Sequence, residues 1–191
     1  MNRLELSELP VINGERVSLR PITEEDTELI VRWRNDPEVC RYFIFREPFT
    51  REMHTNWLRS RVAAGAVIQY IILAKNDPCS AENDLWPVGS VYFRDVDYRH
   101  ESAEYGIFIG EAEARGRGLG SETARLFTDF GLDVLGLHRI ALKVLGGNDI
   151  ARRSYEKAGF RTEGVFRDMV KLDGEFADVI FMAKLNAQEE S

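Results

Sequence analysis

The stretch "EARGRGLGSETARLF", Glu113–Phe127, sets Gly116, Gly118 and Gly120 at alternate positions among arginines and then turns helical. Glycine lets a chain bend tightly with its N–H groups bare, and a helix that starts there adds the positive end of its dipole, so the stretch reads as an anion cradle. A plain strand-to-helix turn needs one glycine, not three. Two common phosphate loops do not fit. The dinucleotide pattern G-x-G-x-x-G, begun at Gly116, puts Ser121 where the third glycine belongs, and no βαβ unit opens the chain. The triphosphate pattern G-x-x-x-x-G-K-[ST] does not occur. Three spaced glycines ahead of a helix therefore suit a pyrophosphate.

The flanking sequence gives the loop a setting. Before it, "SAEYGIFIG" (102–110) and "VGSVYFRDVD" (88–97) read as strands, and "VIQYIILAK" (67–75) is another. After it, "SETARLFTDFGLDVLG" is an amphipathic helix with Thr123, Phe127, Phe130 and Val134 on one face. "HRIALKVL" then returns as a strand, so a strand–loop–helix–strand unit with a parallel pairing surrounds the loop. "NDIARRSYEKAGF" is a short helix capped by Asn148 and stopped by Gly159. Two final strands flank Asp173-Gly174, a hairpin signal. Near the start, Arg16–Ile22 alternates as a strand, Thr23 caps a helix through Asn35, and Thr50–Gly65 holds a second helix. The order β α α β β β α β α β β predicts an α/β fold: a mixed, largely antiparallel sheet of six or seven strands wrapped by about four helices. No linker divides the 191 residues, so a single domain is expected.

Composition narrows the partners. With 44% hydrophobic and 30% charged residues the chain is an ordinary globular one, and no apolar run is long enough for a bilayer. A net charge of −7 argues against nucleic acid. Yet Arg115–Phe160 holds eight lysines and arginines against five acids, a basic patch suited to a small anion. Three scattered histidines offer no metal-ligand spacing. Cys40 and Cys79 read as reduced thiols, and the charged N-terminus is unlike a secretory signal, so a cytoplasmic protein is expected.

At this point the residues resemble a known family. "RGRGLG" (115–120) matches the (Q/R)-x-x-G-x-(G/A) motif of the GNAT superfamily of acyl-CoA-dependent N-acetyltransferases, and Asn148–Phe160 resembles its N-x-x-(S/A)-x-x-x-Y-E-K-x-G-F segment. "WRNDPEVCRYF" and the ending from Gly159 to Leu185 resemble its ribosomal-protein N-terminal acetyltransferase branch, so the likeness spans about residues 14 to 186. The resemblance implies a GNAT-like fold and acetyl-CoA as cosubstrate. It places the pyrophosphate on the amides of Arg115, Gly116, Arg117, Gly118, Leu119, Gly120 and Ser121. The pantetheine arm would pair along Phe108, Ile109 and Gly110 like an added strand, with Asn148 and Ala151 touching the cofactor.

Acetyl transfer needs a neutral attacking amine and help for the departing thiolate, with no covalent enzyme intermediate. Asn148, Ala151 and Tyr155 share one helix face. Tyr155 reads as a core aromatic or a proton donor, and the resemblance gives it the place of the general acid beside the CoA sulfur. Strand alternation puts Ala103, Tyr105, Ile107 and Ile109 on one face and Glu104, Gly106 and Phe108 on the other. Glu104 in an apolar strand is either ion-paired or a base working through water. Some peptide-type relatives carry a glutamate base five residues before the asparagine, where this chain has Lys143, which favours Glu104.

The acceptor end is read on the first helices. "VRWRNDPEV" with "HTNW" also resembles acetyltransferases of nucleotide-linked amino sugars, which makes Trp33, Arg34, Asn35, His54 and Trp57 candidate pocket residues. Packing of Trp33 and Trp57 between helices competes with that reading, and His54 reads as a surface histidine or a minor base. The expected acceptor is a primary amine on a peptide N-terminus or small molecule, with an amino sugar or polyamine as alternatives. A non-catalytic CoA-binding module is the reading of another class. A monomer or homodimer is expected.

Overall fold

The computed structural model describes residues 8–75 and 85–186. Cys79 and most of the polar loop 76–87 lie outside the described residues. Eight strands form one sheet: β1 (Ile12–Asn13), β2 (Val17–Pro21), β3 (Val67–Ala74), β4 (Trp86–Asp97), β5 (Ser102–Ile109), β6 (Arg139–Leu145), β7 (Arg161–Leu172) and β8 (Glu175–Leu185). Their spatial order is β1-β2-β3-β4-β5-β6-β8-β7, antiparallel throughout except for the β5–β6 pair. Five helices cover it: α1 (Thr27–Asn35), α2 (Pro37–Cys40), α3 (Arg51–Trp57), α4 (Leu119–Asp129) and α5 (Asp149–Lys157). The expected order holds, with two-residue β1 and four-residue α2 added to it. Asp36, whose carboxylate accepts from the N–H of Glu38 at 2.9 Å, and Pro37 at the first helical position are the local reason for α2.

Local chemistry sets several boundaries. Thr50 caps α3 by accepting from the Met53 N–H at 3.2 Å. The hairpin between β7 and β8 turns on Asp173 at φ 52° and Gly174 at φ 92°, the two positive angles that a tight I′ connection requires.

The helices lie on both faces of the sheet. On one, α4 lays Thr123, Ala124 and Phe127 onto strand residues Val91, Phe93, Ala103 and Tyr105; the rings of Phe127 and Phe93 stack at 4.3 Å. On the other, Ile30 and Trp33 of α1, with Leu58 and Val62 after α3, bury Val67, Ile71 and Phe108. Two expectations for α4 need correction. The helix begins at Leu119, two residues before Ser121, with Gly118 in the capping position at φ 77°. Val134 is 54% exposed, because a π turn over Phe130–Val134 inserts an extra residue, rotates the face, and brings Leu132 and Leu135 inward instead.

Candidate active site

Strand β5 parts from β6 almost at once. Their parallel pairing covers only Ser102, Ala103 and Glu104 against Arg139, Ile140 and Ala141. From Tyr105 to Ile109, β5 is paired with β4 alone, so the backbone groups on its other side face a gap. The glycine loop stands at the mouth of that gap. Gly116 and Gly118 adopt φ of 73° and 77°, angles that a side chain tolerates poorly. The first-turn amides of α4, from Leu119 to Ser121, lack intrahelical acceptors by the geometry of any helix start.

Side chains hold this loop in place. Arg115 bends back so that Nη2 donates to the Gly110 carbonyl at 3.0 Å and Nε to that of Ile109 at 3.3 Å. Arg16 donates from Nη1 to the Arg117 carbonyl at 3.1 Å, while its Nε and its backbone N–H both reach Glu122 at 2.9 Å. Burial pushes the Glu122 carboxyl up, but the hydrogen bonds from Arg16 outweigh it and leave the group below its ordinary range. Ser121 and Ser154 join α4 to α5 through a 2.8 Å hydroxyl contact.

Asn148 caps α5 by accepting from the Ala151 N–H at 3.2 Å. No residue of α5 is fully buried; Ala151 and Tyr155 are the ones that pack on the core. The Tyr155 ring meets Tyr105 edge-on at 6.0 Å and Phe160 at 6.0 Å, which fixes the phenol beside the parted stretch of β5. Burial, aided by the neighbouring Tyr92, pushes its pKa upward, so it keeps its proton across the physiological range.

Glu104 lies on the opposite face of the sheet. It pairs across strands with Arg94, which donates from Nε at 3.1 Å and also from Nη2, and it accepts from Lys143 Nζ at 2.8 Å. Burial raises the carboxyl's pKa, but the two cations more than offset this and hold it low. Beside this cluster Tyr92 crosses over Gly106, where a Cβ would come within 2.6 Å of the phenol.

The residues expected at the acceptor end fare differently. Trp33 is buried, its Nε1 donating to Glu111 at 2.8 Å, and its ring occupies the space above Gly110. The bare Cα of Gly110 thus admits an indole. Phe108 is likewise buried, edge-on to Trp33 and Phe43, so only its backbone faces the gap. Asn35 clasps the backbone of Phe49, donating to its carbonyl at 2.7 Å and accepting from its N–H at 2.9 Å. Trp57 donates to Gln69 at 2.9 Å. His54 is not a surface residue: it is 1% exposed, because α3 lays this side of the helix on α1. The Thr27 hydroxyl gives its proton to Glu24 O at 2.7 Å, so His54 Nδ1 must be the donor in their 3.0 Å contact. Its Nε2 is buried without a partner, and burial pushes the pKa down, which makes it a neutral core imidazole. A cavity of about 340 Å³ opens between the segment after α2 (Arg41, Tyr42, Arg46), the α5 cap at Asn148, and the β7–β8 hairpin with Asp173 and Phe176.

Sequence reading missed Arg94 and Tyr92. Alternation along β4 was the available signal, since it sets Ser90, Tyr92 and Arg94 on the face of Glu104 once the β4–β5 register is known.

An open strand edge beside a helix start with bare amides suits a nucleotide with a long amide-bearing arm. The chain belongs to the acetyltransferase (GNAT) domain family, whose model spans residues 16–161. It is an N-acetyltransferase that uses acetyl-CoA as cosubstrate and an amine as acceptor. The chain is 28% identical over 170 residues to spermidine N(1)-acetyltransferase of Escherichia coli (strain K12), covering 89% of this chain and 86% of that one. It is 28% identical over 179 residues to the uncharacterized N-acetyltransferase p20 of Bacillus licheniformis, covering 91% and 95%. Among solved structures, the Vibrio cholerae spermidine N-acetyltransferase in complex with CoA and spermine superimposes with a TM-score of 0.79 at 25% identity, over 91% of this chain and 97% of that one. Among the described residues, no helix is long and apolar enough to cross a membrane.

Proposed function

We propose that this chain is a single-domain cytoplasmic enzyme, monomeric or homodimeric, that moves acetyl directly from acetyl-CoA to a primary amine within one ternary complex. The observation that carries this reading is the parting of β5 from β6 at Glu104, with Tyr155 beside the opening. The pyrophosphate lies on the amides from Arg115 to Ser121. The pantetheine amides pair with the free edge of Phe108, Ile109 and Gly110, and Asn148 and Ala151 border it at the start of α5.

Tyr155 faces the thioester sulfur. A thiol is a stronger acid than a phenol, by about 1.5 pKa units before any shift. Burial widens that difference, so Tyr155 keeps its proton and stabilises the departing thiolate by a hydrogen bond, and the thiolate takes its proton from solvent on release. On the acceptor side, an alkylammonium with a pKa near 10.4 is neutral in roughly one molecule in 2,500 at pH 7. Glu104, held low by two cations, is too weak to take that proton directly. Arg94 and Lys143 disfavour the ammonium form and lower the amine's own pKa, so the amine sheds its proton to solvent as it enters, and Glu104 orients the water that carries that proton away.

The segment Trp33–Phe43 and the C-terminal hairpin resemble the ribosomal-protein N-terminal branch, which supports a peptide N-terminus. The names of the relatives support a polyamine, and the first helices an amino sugar. Release of free CoA from acetyl-CoA against a panel of these amines tests the reading. Tyr155→Phe should lower kcat by roughly a hundredfold with the acetyl-CoA KM little changed. An unchanged kcat removes Tyr155 from the chemistry. Binding of CoA with no turnover of any amine would instead favour a regulatory module.

A further inference from the structure

Arg34, on α1, is a half-buried guanidinium. Among the described residues it has no counter-ion, its Nε is buried with no hydrogen-bond partner, and desolvation lowers its pKa. Its carbon Cζ lies 4.6 Å from the Phe43 ring centre and 4.9 Å from that of Phe49. These contacts cover the planar surface of the guanidinium and leave the in-plane N–H fork as its unused part. The rest of the cluster is fixed by the fold. Phe43 packs edge-on against Phe108 of β5 at 5.7 Å, Asn35 anchors Phe49, and Arg34 lies within electrostatic reach of Tyr92 and Arg94.

The charges on this side do not balance. Arg34, Arg94 and Lys143 face one carboxylate, Glu104, which the last two already share. Three other acids have partners of their own. Asp95, 4.0 Å from Arg94 Nε, pairs with Arg61 at 2.5 Å; Glu111 holds Arg32 and Trp33; Asp173 holds Arg46 at 2.5 Å. Glu175 lies on the hairpin at the far wall of the cavity. An arginine withdrawn from water without a partner is costly, and the cost is recovered when an oxyanion meets the fork.

We propose that the acceptor is a small primary amine that also carries a carboxylate or phosphate, and that Arg34 binds this oxyanion while the amine reaches the gap between β5 and β6. This rests on the acetyl-transfer reading above and narrows its acceptor. A polyamine would bring further positive charge to a side that already has an excess of two, which works against binding.

Matched acceptors test it, with CoA release as the readout: glycine peptides of one to four residues as free acids and as C-terminal amides, glucosamine 6-phosphate against glucosamine, and spermidine. The peptide and sugar arms separate a carboxylate from a phosphate. At least one anionic member should exceed its neutral partner by roughly ten- to a hundredfold in kcat/KM, mainly through KM. Arg34→Met, which keeps an apolar stem between the two phenylalanines, should remove that preference by bringing the anionic member's kcat/KM down to that of its neutral partner, with CoA affinity unchanged. Spermidine as the best acceptor, no anionic preference in any pair, or a preference that survives Arg34→Met each overturns the proposal without touching acetyl transfer. Absence of turnover with every amine would overturn both, and unchanged CoA affinity in the variant rules out misfolding.

Discussion

Gly118 and Gly120 differ by two positions, yet the structure predicts opposite outcomes for alanine at each. Gly118 sits at φ 77°, and a Cβ there would lie 2.8 Å from Arg16 Nη1. The left-handed conformation costs an alanine about 1–2 kcal/mol. Arg16 can swing aside, but it then gives up its 3.1 Å bond to the Arg117 carbonyl, worth about 0.5–1.5 kcal/mol. Together Gly118→Ala should lose about 1.5–3.5 kcal/mol. At about 2–4 °C per kcal/mol for a chain of this size, the melting temperature should fall by roughly 3–14 °C. Gly120 lies inside α4, and its added methyl would meet only Ile109 Cγ1 at 4.0 Å. Gly120→Ala should therefore be neutral or stabilising by up to about 1 kcal/mol, since alanine is the better helix residue. CoA affinity, measured by calorimetry, should drop at least tenfold for Gly118→Ala, because the loop amides move, and stay within about threefold for Gly120→Ala. Equal melting temperatures for the two variants, or tight CoA binding by Gly118→Ala, would refute the claim that the left-handed turn at Gly118 aims these amides.

Two further outcomes follow from hydrogen-bonded and titratable side chains. Asn35→Ala releases the backbone of Phe49, and with it one of the rings beside Arg34; the melting temperature should fall by about 3–6 °C and the acceptor KM should rise several-fold with CoA binding unchanged, both readable in one preparation. Stability should decline with acid in two stages. His54 has a lowered folded pKa, so its contribution is present above the unfolded value near 6.5 and is lost as pH falls below it; Asp26, Glu104 and Glu122, also lowered, contribute above about 4.3 and lose that contribution at more acid pH. Thermal melts from pH 8 to 3 check this, and the upper stage should vanish in His54→Gln while the lower one remains.

What the sequence determined on its own was local. Glycines at 116 and 118 mark positive φ because an L side chain clashes there, and Asn148, Thr50 and Asp173-Gly174 mark caps and a turn because each satisfies or bends its own nearby backbone. Such signals need no knowledge of distant strands, and they sufficed for the element order, the left-handed glycines and the face shared by Ala151 and Tyr155. What only the tertiary structure decided depended on register between segments far apart in the chain. The β4–β5 and β6 alignments bring Arg94 and Lys143 to Glu104 and pair the candidate base with two cations. The packing of α3 on α1 buries His54, and the π turn after α4 turns Val134 outward. The parting of β5 from β6, which opens the gap beside Tyr155, is likewise invisible in either strand, because a strand's own residues specify its faces but not where its partner leaves it.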